Sequence, residues 1–387
     1  MKRMIPVLFC VLSASALAAP RIDIAVTNPT SRDWSEAPVI VPIEPGWGEL
    51  ADASSSARWV AVASGVRAPV QCDDLDGDGK ADELVFLAAV PAGGTVTYTL
   101  EPAGDTPPPP KRAHARFSLK GFDGPAWESD VIAYRIYWNL DNAIDVFGKT
   151  RPILSLDHWA KPGVPHNIED EHGIDVLKIG RSIGLAGFGV WRDDQIHKVT
   201  NVMKSYTIRA AGPIRAVVEL EYVNWHVGQR DPDVRPTGPV HRYDLMARMS
   251  ICAGQFWGQA DLQLKPLAGP MPEMVIGLPI HEDTELIQDE KRGIVGRWGL
   301  QALGDHDKPK SANLGIGFVV DPTVVIAYGQ TSIDNYARVR LQDGRLSYRY
   351  HASWEKEPGG ARSLQAYADK LTAVAELRPQ VKAQVHR

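Results

Sequence analysis

The chain has 387 residues, with 42 lysines and arginines against 47 aspartates and glutamates, and a formal net charge of -5. This negative balance and the lack of a basic block in the sequence argue against nucleic acid as the main partner. The length is more than one hydrophobic core usually supports, so it predicts two domains or one very large sheet assembly.

The N-terminus has the pattern of a secretion signal. Two basic residues precede an apolar run from Ile5 to Leu17, and small residues at Ala16 and Ala18 are spaced for a signal peptidase. The apolar run is shorter than the roughly 20 residues that a membrane-spanning helix needs. We therefore expect a signal peptide over residues 1–19 and an exported protein, periplasmic or secreted, with no membrane span.

Short alternating runs between turns predict strands along most of the chain, so the fold class is mainly β. The clearest of these runs are Ile22–Val26, Thr95–Leu100, Ala216–Tyr222, Asp261–Leu264 and Leu346–Tyr350. Helical periodicity is scarce and is best developed at Leu364–Ala375.

Four consecutive prolines mark the predicted domain boundary. Residues 105–112 form a proline-rich linker, because such a sequence favours an extended, semi-rigid spacer. Residues 20–104 have the size of a small N-terminal β-sandwich. Residues 113–387 form the larger body, which we expect to carry any active site.

An acidic turn in the predicted N-terminal sandwich matches the first part of a calcium loop. Asp74, Asp76, Asp78 and Asp82 stand at loop positions one, three, five and nine, where oxygen ligands wrap a hard cation. Val85 replaces the glutamate of position twelve, which argues against a helical EF-hand. The sequence predicts a structural Ca²⁺ on these four aspartates, and the alternative is a solvated acidic hairpin turn.

Two cysteines, Cys72 and Cys252, follow the predicted signal. A disulfide between them is possible in an oxidising compartment, but two residues so far apart in sequence carry no pairing information. Two cysteines alone also cannot form a zinc site.

The segment Tyr134–Asn139 offers a first set of candidate site residues. A strand there would place Arg135, Tyr137 and Asn139 on one face, away from an apolar face. Arg135 could pair with a carboxylate and Tyr137 could donate a proton. The alternative is a surface arginine flanked by aromatic core.

A second set lies in a predicted loop that ends at Gly173, before a predicted strand over Ile174–Ile179. His166, Asp170 and His172 could supply a general base with its orienting acid, or metal ligands. Their spacing matches no zinc signature, and a solvated loop is the alternative.

His241, Arg242 and Tyr243 make a third set, on a predicted strand. A histidine and a tyrosine beside an arginine suit the removal of a proton next to a carboxylate, and ordinary strand polarity is the alternative.

The sequence has no glycine-rich phosphate loop, GxSxG elbow or cysteine nucleophile setting, so no organic cofactor is predicted. Tryptophans could serve as stacking platforms for sugars, namely Trp127, Trp138, Trp159, Trp191, Trp225, Trp257, Trp298 and Trp354.

Four stretches of the chain resemble a domain-of-unknown-function family, DUF4861, found in bacterial polysaccharide-degradation gene clusters. They are GPAWESDVIAYRIYWNLDNAIDVFGK, GIDVLKIGRSIGLAGFG, DDLDGDGKADELVF and SYRYHASWEKEP. The resemblance covers most of the mature chain. It implies a large β-supersandwich like that of aldose mutarotases and several polysaccharide lyases, and a pectin-like or other uronate-containing glycan as partner.

The first functional hypothesis is β-elimination on an acidic oligosaccharide or polysaccharide. The candidates are Arg135 and Arg242 to neutralise the carboxylate, His166, His172 and His241 as base, and Tyr137 and Tyr243 as acid. The alternatives are a mutarotase-like or epimerase-like enzyme, a glycoside hydrolase, and a non-catalytic glycan-binding protein. All the enzymatic readings require these residues to meet in one cleft.

Overall fold

The computed structural model describes residues 21–44, 47, 59–105, 107–200, 203–228, 241–301 and 312–386. These residues form antiparallel sheets with little helix, so the mainly β class is confirmed. The predicted signal peptide, residues 1–19, lies outside the described residues. Within them, no helix is both long enough and apolar enough to pass through a membrane.

The strands of the N-terminal part are β1 (Arg21–Thr27), β2 (Trp34–Pro42), β3 (Trp59–Ala63), β4 (Val66–Pro69), β5 (Gln71–Asp73), β6 (Glu83–Val90) and β7 (Thr95–Pro102). Next come β8 (Ala113–Ser118), β9 (Gly124–Ser129), β10 (Ile132–Ile136), β11 (Ile144–Gly148), helix α1 (Leu156–Trp159), β12 (Ile174–Asp175), β13 (Gly187–Arg192) and β14 (Gln195–Lys198). The long strands follow, namely β15 (Met203–Ala211), β16 (Arg215–His226), β17 (Arg242–Cys252), β18 (Trp257–Ala268), β19 (Glu273–Pro279) and β20 (Thr284–Asp289). The last elements are β21 (Ile294–Gln301), β22 (Ala312–Val320), a 3-10 turn (Pro322–Val324), β23 (Val325–Gln330), β24 (Asp334–Val339), β25 (Arg345–Trp354), helix α2 (Leu364–Glu376) and β26 (Gln380–His386).

The large body is a sandwich of three sheets around one core. An eight-stranded sheet, in the order β15-β16-β17-β18-β25-β22-β21-β20, packs against two five-stranded sheets, β12-β11-β10-β9-β8 and β14-β13-β19-β24-β23. Tyr222 and Leu262 of the large sheet share this core with Trp127 and Ile276 of the two smaller ones. The alternating burial along β17 is typical of an antiparallel sheet that buries one face.

Helix α2 covers the outer face of the eight-stranded sheet, and it confirms the helix predicted at Leu364–Ala375. Its Tyr367 and Leu371 are fully buried against β21 and β22. The helix can approach this closely because the strands carry glycines there. A Cβ atom at Gly315 would overlap the ring of Tyr367.

The N-terminal part is a small sandwich of two sheets, β26-β1-β7-β3-β4 and β2-β6-β5, with its own core. The predicted division into residues 20–104 and 113–387 misses one element. Strand β26, at the C-terminus, pairs along its whole length with β1, and Val381 and Val385 pack on the N-terminal core. The chain therefore returns to the first sandwich at its end, a long-range pairing that has no local sequence signal.

A buried ion pair joins the two sandwiches. Arg215 of β16 bonds to Asp73 at 2.7 Å and to Glu83 at 2.7 Å, and the side chains of Arg215 and Asp73 are almost fully buried. The backbone of residue 112, at the end of the predicted linker, donates to Pro213. Among the described residues, Cys72 and Cys252 are both buried and are not joined by a disulfide.

The β12-β11-β10-β9-β8 sheet is covered on both faces, which explains why β9, β10 and β11 are buried at every residue. Tyr134, Ile136 and Val146 point into the main core. The opposite face carries Ala133 and Phe147, which pack with Leu156 and Trp159 of α1. We call residues 149–173, which connect β11 to β12 and include α1, the covering segment.

Candidate functional site

Charged side chains meet on the face of the sheet that lies beneath the covering segment. Arg135 of β10 is directly opposite Asp145 of β11, and Asp175 of β12 is opposite Phe147, two residues further along β11. Side chains two residues apart on a strand share a face, so the register brings Arg135, Asp145 and Asp175 together. Tyr137 directly follows β10 and lies beside Arg135, although the strand predicted to reach Asn139 ends at Ile136.

The guanidinium of Arg135 lies at the centre of this group. It donates to Asp145 Oδ2 from Nε at 2.9 Å and from Nη2 at 2.6 Å, and to Asp175 Oδ2 at 2.8 Å. It also donates to the Tyr137 hydroxyl at 2.7 Å and to the Phe122 carbonyl at 2.8 Å. We call Arg135, Tyr137, Asp145, His166 and Asp175 the Arg135 cluster.

This arrangement corrects the role predicted for Arg135. The side chain is 2% exposed, and all three of its nitrogens point at protein acceptors. A buried guanidinium is stable only when such partners compensate its lost hydration. Arg135 therefore has no donor left for a substrate carboxylate, and it holds the other members of the cluster in place instead.

His166 is the most accessible base of the cluster, with a side chain that is 26% exposed. Its Nε2 atom lies 3.4 Å from Arg135 Nη1 and 3.9 Å from Asp175 Oδ2. Burial lowers the pKa of His166 below its ordinary value of 6.5, and the charge of Arg135 lowers it further. The imidazole is therefore neutral at neutral pH, and its contact with Arg135 is long enough for a substrate proton to compete for the Nε2 lone pair.

The cluster also contains groups that keep their protons. Burial raises the pKa of Asp175 well above its usual range, and the charge of Asp145 raises it further. Burial, followed by the charge of Asp145, raises the pKa of the half-buried Tyr137 phenol. A neutral base and neutral acids thus stand together, which is a recognised arrangement of functional sites.

A second buried ion pair supports the covering segment. Lys149 bonds to Glu128 at 2.5 Å, and both side chains are completely buried. Glu128 also accepts the backbone N–H groups of Ser155 and Leu156 at the start of α1. Glu128 therefore fixes the position of the helix that carries His158.

His172 lies on the covering segment but is not a member of the Arg135 cluster. Its ring stacks on that of His158, with centroids 3.7 Å apart and planes within 3° of parallel. Asp170 lies beside both rings, bonded to His158 Nε2 at 2.8 Å. Ligand atoms of His158, Asp170 and His172 all lie within 4.8 Å of one another, so this trio could hold a metal ion.

The third predicted set does not join the cluster. Tyr243 is 1% exposed and donates to the Pro270 carbonyl, and Arg242 bonds to Asn224. The backbone carbonyl of His241 accepts from Val227 in the connection between β16 and β17. The expectation that all three predicted histidines meet in one cleft is therefore wrong. Arg242 and Tyr243 instead begin β17, in the eight-stranded sheet.

The acidic turn brings three of its four predicted ligands together. Carboxylate oxygens of Asp74, Asp76 and Asp78 lie within 4.8 Å of one another, a separation that a hard cation could bridge. Asp82 is not part of this trio, because it accepts the backbone N–H of Leu75 at 2.6 Å. The predicted ligand set is thus reduced to three side chains.

The sequence reasoning missed Asp145, Asp175, His158, Glu128 and Lys149. Asp145 stands in the otherwise apolar strand IDVFG, and Glu128 and Lys149 also border apolar runs. A charged residue inside a buried strand needs a partner of opposite charge. That rule could have identified the buried pairs, although it could not have said which residues pair.

Solved structures with a similar fold come from Enterococcus faecalis. An α-mannosidase from strain V583 shares 12% identity over 95% of this chain and 46% of its own, with a TM-score of 0.47. A protein of glycosyl hydrolase family 38 shares 10% identity over 96% of this chain and 48% of its own, with a TM-score of 0.49. The chain thus spans about half the length of these structures.

No curated protein matches the chain. The sequence model of one family matches residues 26–381, which cover both sandwiches and every residue of the Arg135 cluster. The chain therefore belongs to the family described as Domain of unknown function (DUF4861).

Proposed function

We propose that this protein is an exported enzyme that acts on a carbohydrate by general acid–base catalysis, with the Arg135 cluster as its reaction centre. The observation that carries the proposal is the position of His166. It is a neutral, partly exposed imidazole within 3.4 Å of a buried guanidinium that also holds Tyr137 and two carboxylates. His166 is the base, and Tyr137 is the acid.

The two roles follow from the environments of the side chains. His166 takes a proton at neutral pH because burial and Arg135 keep it deprotonated. Tyr137 gives a proton because its phenol is neutral, and a hydroxyl held at 2.7 Å by Arg135 is fixed in direction. Asp145 balances the charge of Arg135, and Asp175 accepts a hydrogen bond from it, so the cluster remains assembled during the proton transfers.

A group of aromatic rings supports a sugar as a ligand, although Phe117 lies on the opposite face of its sheet from Arg135. Phe117 stacks on Tyr206 with centroids 4.3 Å apart, and Trp138, which follows Tyr137 in the chain, packs edge-on against both. Tyr206 is 37% exposed. The Lys204 ammonium lies 4.8 Å from the Trp138 ring, and burial lowers the pKa of Lys204 to about 8, so it is still largely charged at neutral pH. Aromatic faces stack on sugar rings, and a cation beside them suits a uronate carboxylate.

The first candidate reaction is the β-elimination of a uronate-containing, pectin-like glycan. In this reaction His166 removes the proton next to the carboxyl group and Tyr137 protonates the leaving oxygen. The second candidate is the interconversion of sugar anomers, as in a mutarotase. One observation favours it, since anomer exchange needs an acid and a base but no free cation, and the guanidinium of Arg135 is fully engaged.

The two reactions are separated by their products. Purified protein is incubated with pectic, alginate and glucuronan oligosaccharides while ultraviolet absorbance is followed. Elimination gives an unsaturated product whose absorbance rises with time, whereas anomer exchange leaves absorbance flat and is detected by NMR on freshly dissolved sugar. A flat trace together with an uncatalysed rate of anomer exchange would remove both reactions.

We also propose that Asp74, Asp76 and Asp78 bind Ca²⁺, which would stabilise the turn between β5 and β6. The contribution of one site is RT ln(1 + [Ca²⁺]/Kd), about 0.4–1.4 kcal/mol at 1 mM calcium for an affinity typical of extracellular modules. We expect millimolar CaCl₂ to raise the melting temperature of the wild type by a few degrees. Asp76→Asn should abolish this rise, and an equal rise in that variant would refute the site.

A further inference from the structure

We propose that His158, Asp170 and His172 form a binding site for a divalent transition-metal ion of the zinc class, located in the covering segment. The ion would take one nitrogen from each imidazole and one oxygen from the carboxylate. This proposal does not rest on the proposed reaction, because none of the three side chains belongs to the Arg135 cluster.

The donor set fits the chemistry of such an ion. Two imidazoles and one carboxylate are ligands that Zn²⁺ uses when it keeps a fourth position open for water. The ligand atoms of the trio lie within 4.8 Å of one another. Around a tetrahedral Zn²⁺ they would be about 3.4 Å apart, given metal–ligand distances of about 2.0–2.2 Å. Small side-chain rotations on a half-exposed loop can close that gap.

A buried ring nitrogen gives a second and independent indication of a missing ligand. Within the part of the chain that the structure describes, Nδ1 of His172 is buried and has no hydrogen-bond partner, and Asp170 Oδ1 is 3.9 Å away. The two rings, which stack at 3.7 Å, would turn out of parallel to direct one nitrogen each at the ion. A buried nitrogen without a partner is costly, and an ion between this nitrogen and the carboxylate would satisfy it.

The backbone around the three residues is held in place before any ion binds. His158 lies on α1, whose first N–H groups donate to the buried Glu128. Asp170 accepts the backbone N–H of His172 at 2.7 Å. Gly173 follows with a φ of +125°, and a Cβ atom there would overlap the Gly148 carbonyl on β11. The ligands therefore need little ordering, which favours binding.

An ion at this site would tie two parts of the covering segment together. His158 lies near its start and Asp170 and His172 lie near its end, and His166 is on the chain between them. The metal would thereby limit the motion of the segment that closes over the Arg135 cluster. The expected consequence is a protein that melts at a higher temperature with the ion than without it.

The test uses the full chain, treated with a chelator and then titrated with ZnCl₂ by calorimetry and with CoCl₂ by visible absorption. We expect one equivalent to bind, with the absorption bands of Co²⁺ coordinated by nitrogen and oxygen, and the melting temperature to rise. His158→Gln, His172→Gln and Asp170→Asn should each weaken binding by more than about 100-fold, since even the loss of an outer-shell partner costs about 10–100-fold.

The matched control is His114→Gln. His114 also contacts a carboxylate, with Nε2 3.2 Å from Asp157 Oδ1, but none of its contacts is with a second imidazole. This variant should bind the ion like the wild type, as should Asp76→Asn in the acidic turn. Circular dichroism identifies any variant that fails to fold. If one histidine variant does not fold, the variant at the other histidine tests the site. No binding by the wild type, or equal binding by all folded variants, would overturn the proposal.

Discussion

Replacing Arg135 by methionine is expected to lower the free energy of unfolding by about 3–5 kcal/mol, the usual cost of removing one partner of a buried ion pair. Asp145 and Asp175 would remain almost completely buried without their cation. The loss should be measured by urea unfolding at neutral pH. Arg116→Met is the control, because Arg116 and Asp157 form an exposed pair, whose loss costs less than about 1 kcal/mol.

The pH dependence gives an independent check of the Arg135 prediction. Burial already raises the folded-state pKa of Asp175 above that of the unfolded chain, and the loss of the guanidinium raises it further. Between these values the folded state binds more protons than the unfolded state, so stability falls as the pH rises. The deficit of the Arg135→Met variant should therefore be larger at pH 8 than at pH 5. A deficit that does not change with pH would mean that the carboxylates are not responsible.

A second substitution should restore part of the lost stability. Burial raises the pKa of Asp175 well above its usual range, so asparagine resembles the form of Asp175 that the folded protein prefers. Asp175→Asn alone is expected to be nearly neutral. In the Arg135→Met background it replaces a group that must stay protonated in the folded state, so the gain in stability should be larger at pH 8 than at pH 5. If the double variant is no more stable than Arg135→Met, Asp175 does not contribute to the instability that the loss of Arg135 causes.

Strands that bury one face were predictable because their sequence alternates. The alternation in Leu346–Tyr350 reports one buried face, whereas Ala216–Tyr222 is buried at every residue except Glu221. Both runs lie within strands of the eight-stranded sheet. The predicted strand Ile174–Ile179 was too long, since the chain leaves the sheet after Asp175. Its apolar residues are buried all the same, so hydrophobicity alone could not separate a strand from buried irregular chain.

The site was only partly predictable for a different reason. Arg135 lies on β10 and Tyr137 directly follows that strand, so the spacing of two residues sufficed to place them together. Asp145 and Asp175 reach the same place through strand register, and register depends on long-range pairing that no local signal encodes. His241, in turn, had the expected residue types around it but directly precedes β17, a strand of another sheet. The residue types indicated which chemistry was possible, whereas strand register determined which residues lie together.

Replacing His166 by glutamine is expected to lower kcat by about 10²–10⁴-fold on the substrate that the product assays identify, since general bases contribute about that much. Glutamine can still accept a hydrogen bond from Arg135, so the free energy of unfolding should change by less than about 1 kcal/mol. His197→Gln is the matched control. His197 is also a half-buried imidazole whose pKa is lowered by burial, but it bonds to the Arg192 carbonyl in another sheet.

The pH profile separates a base from a residue that only holds its neighbours. His166 must be neutral to accept a proton, and its pKa lies below 6.5. For the wild type and His197→Gln, kcat/KM should therefore rise with pH through a midpoint below 6.5 and then level off. The residual activity of His166→Gln should lack this acidic limb. Retention of the limb with the same midpoint would assign the base to another group, whereas its loss together with an unchanged unfolding curve places the proton transfer at His166.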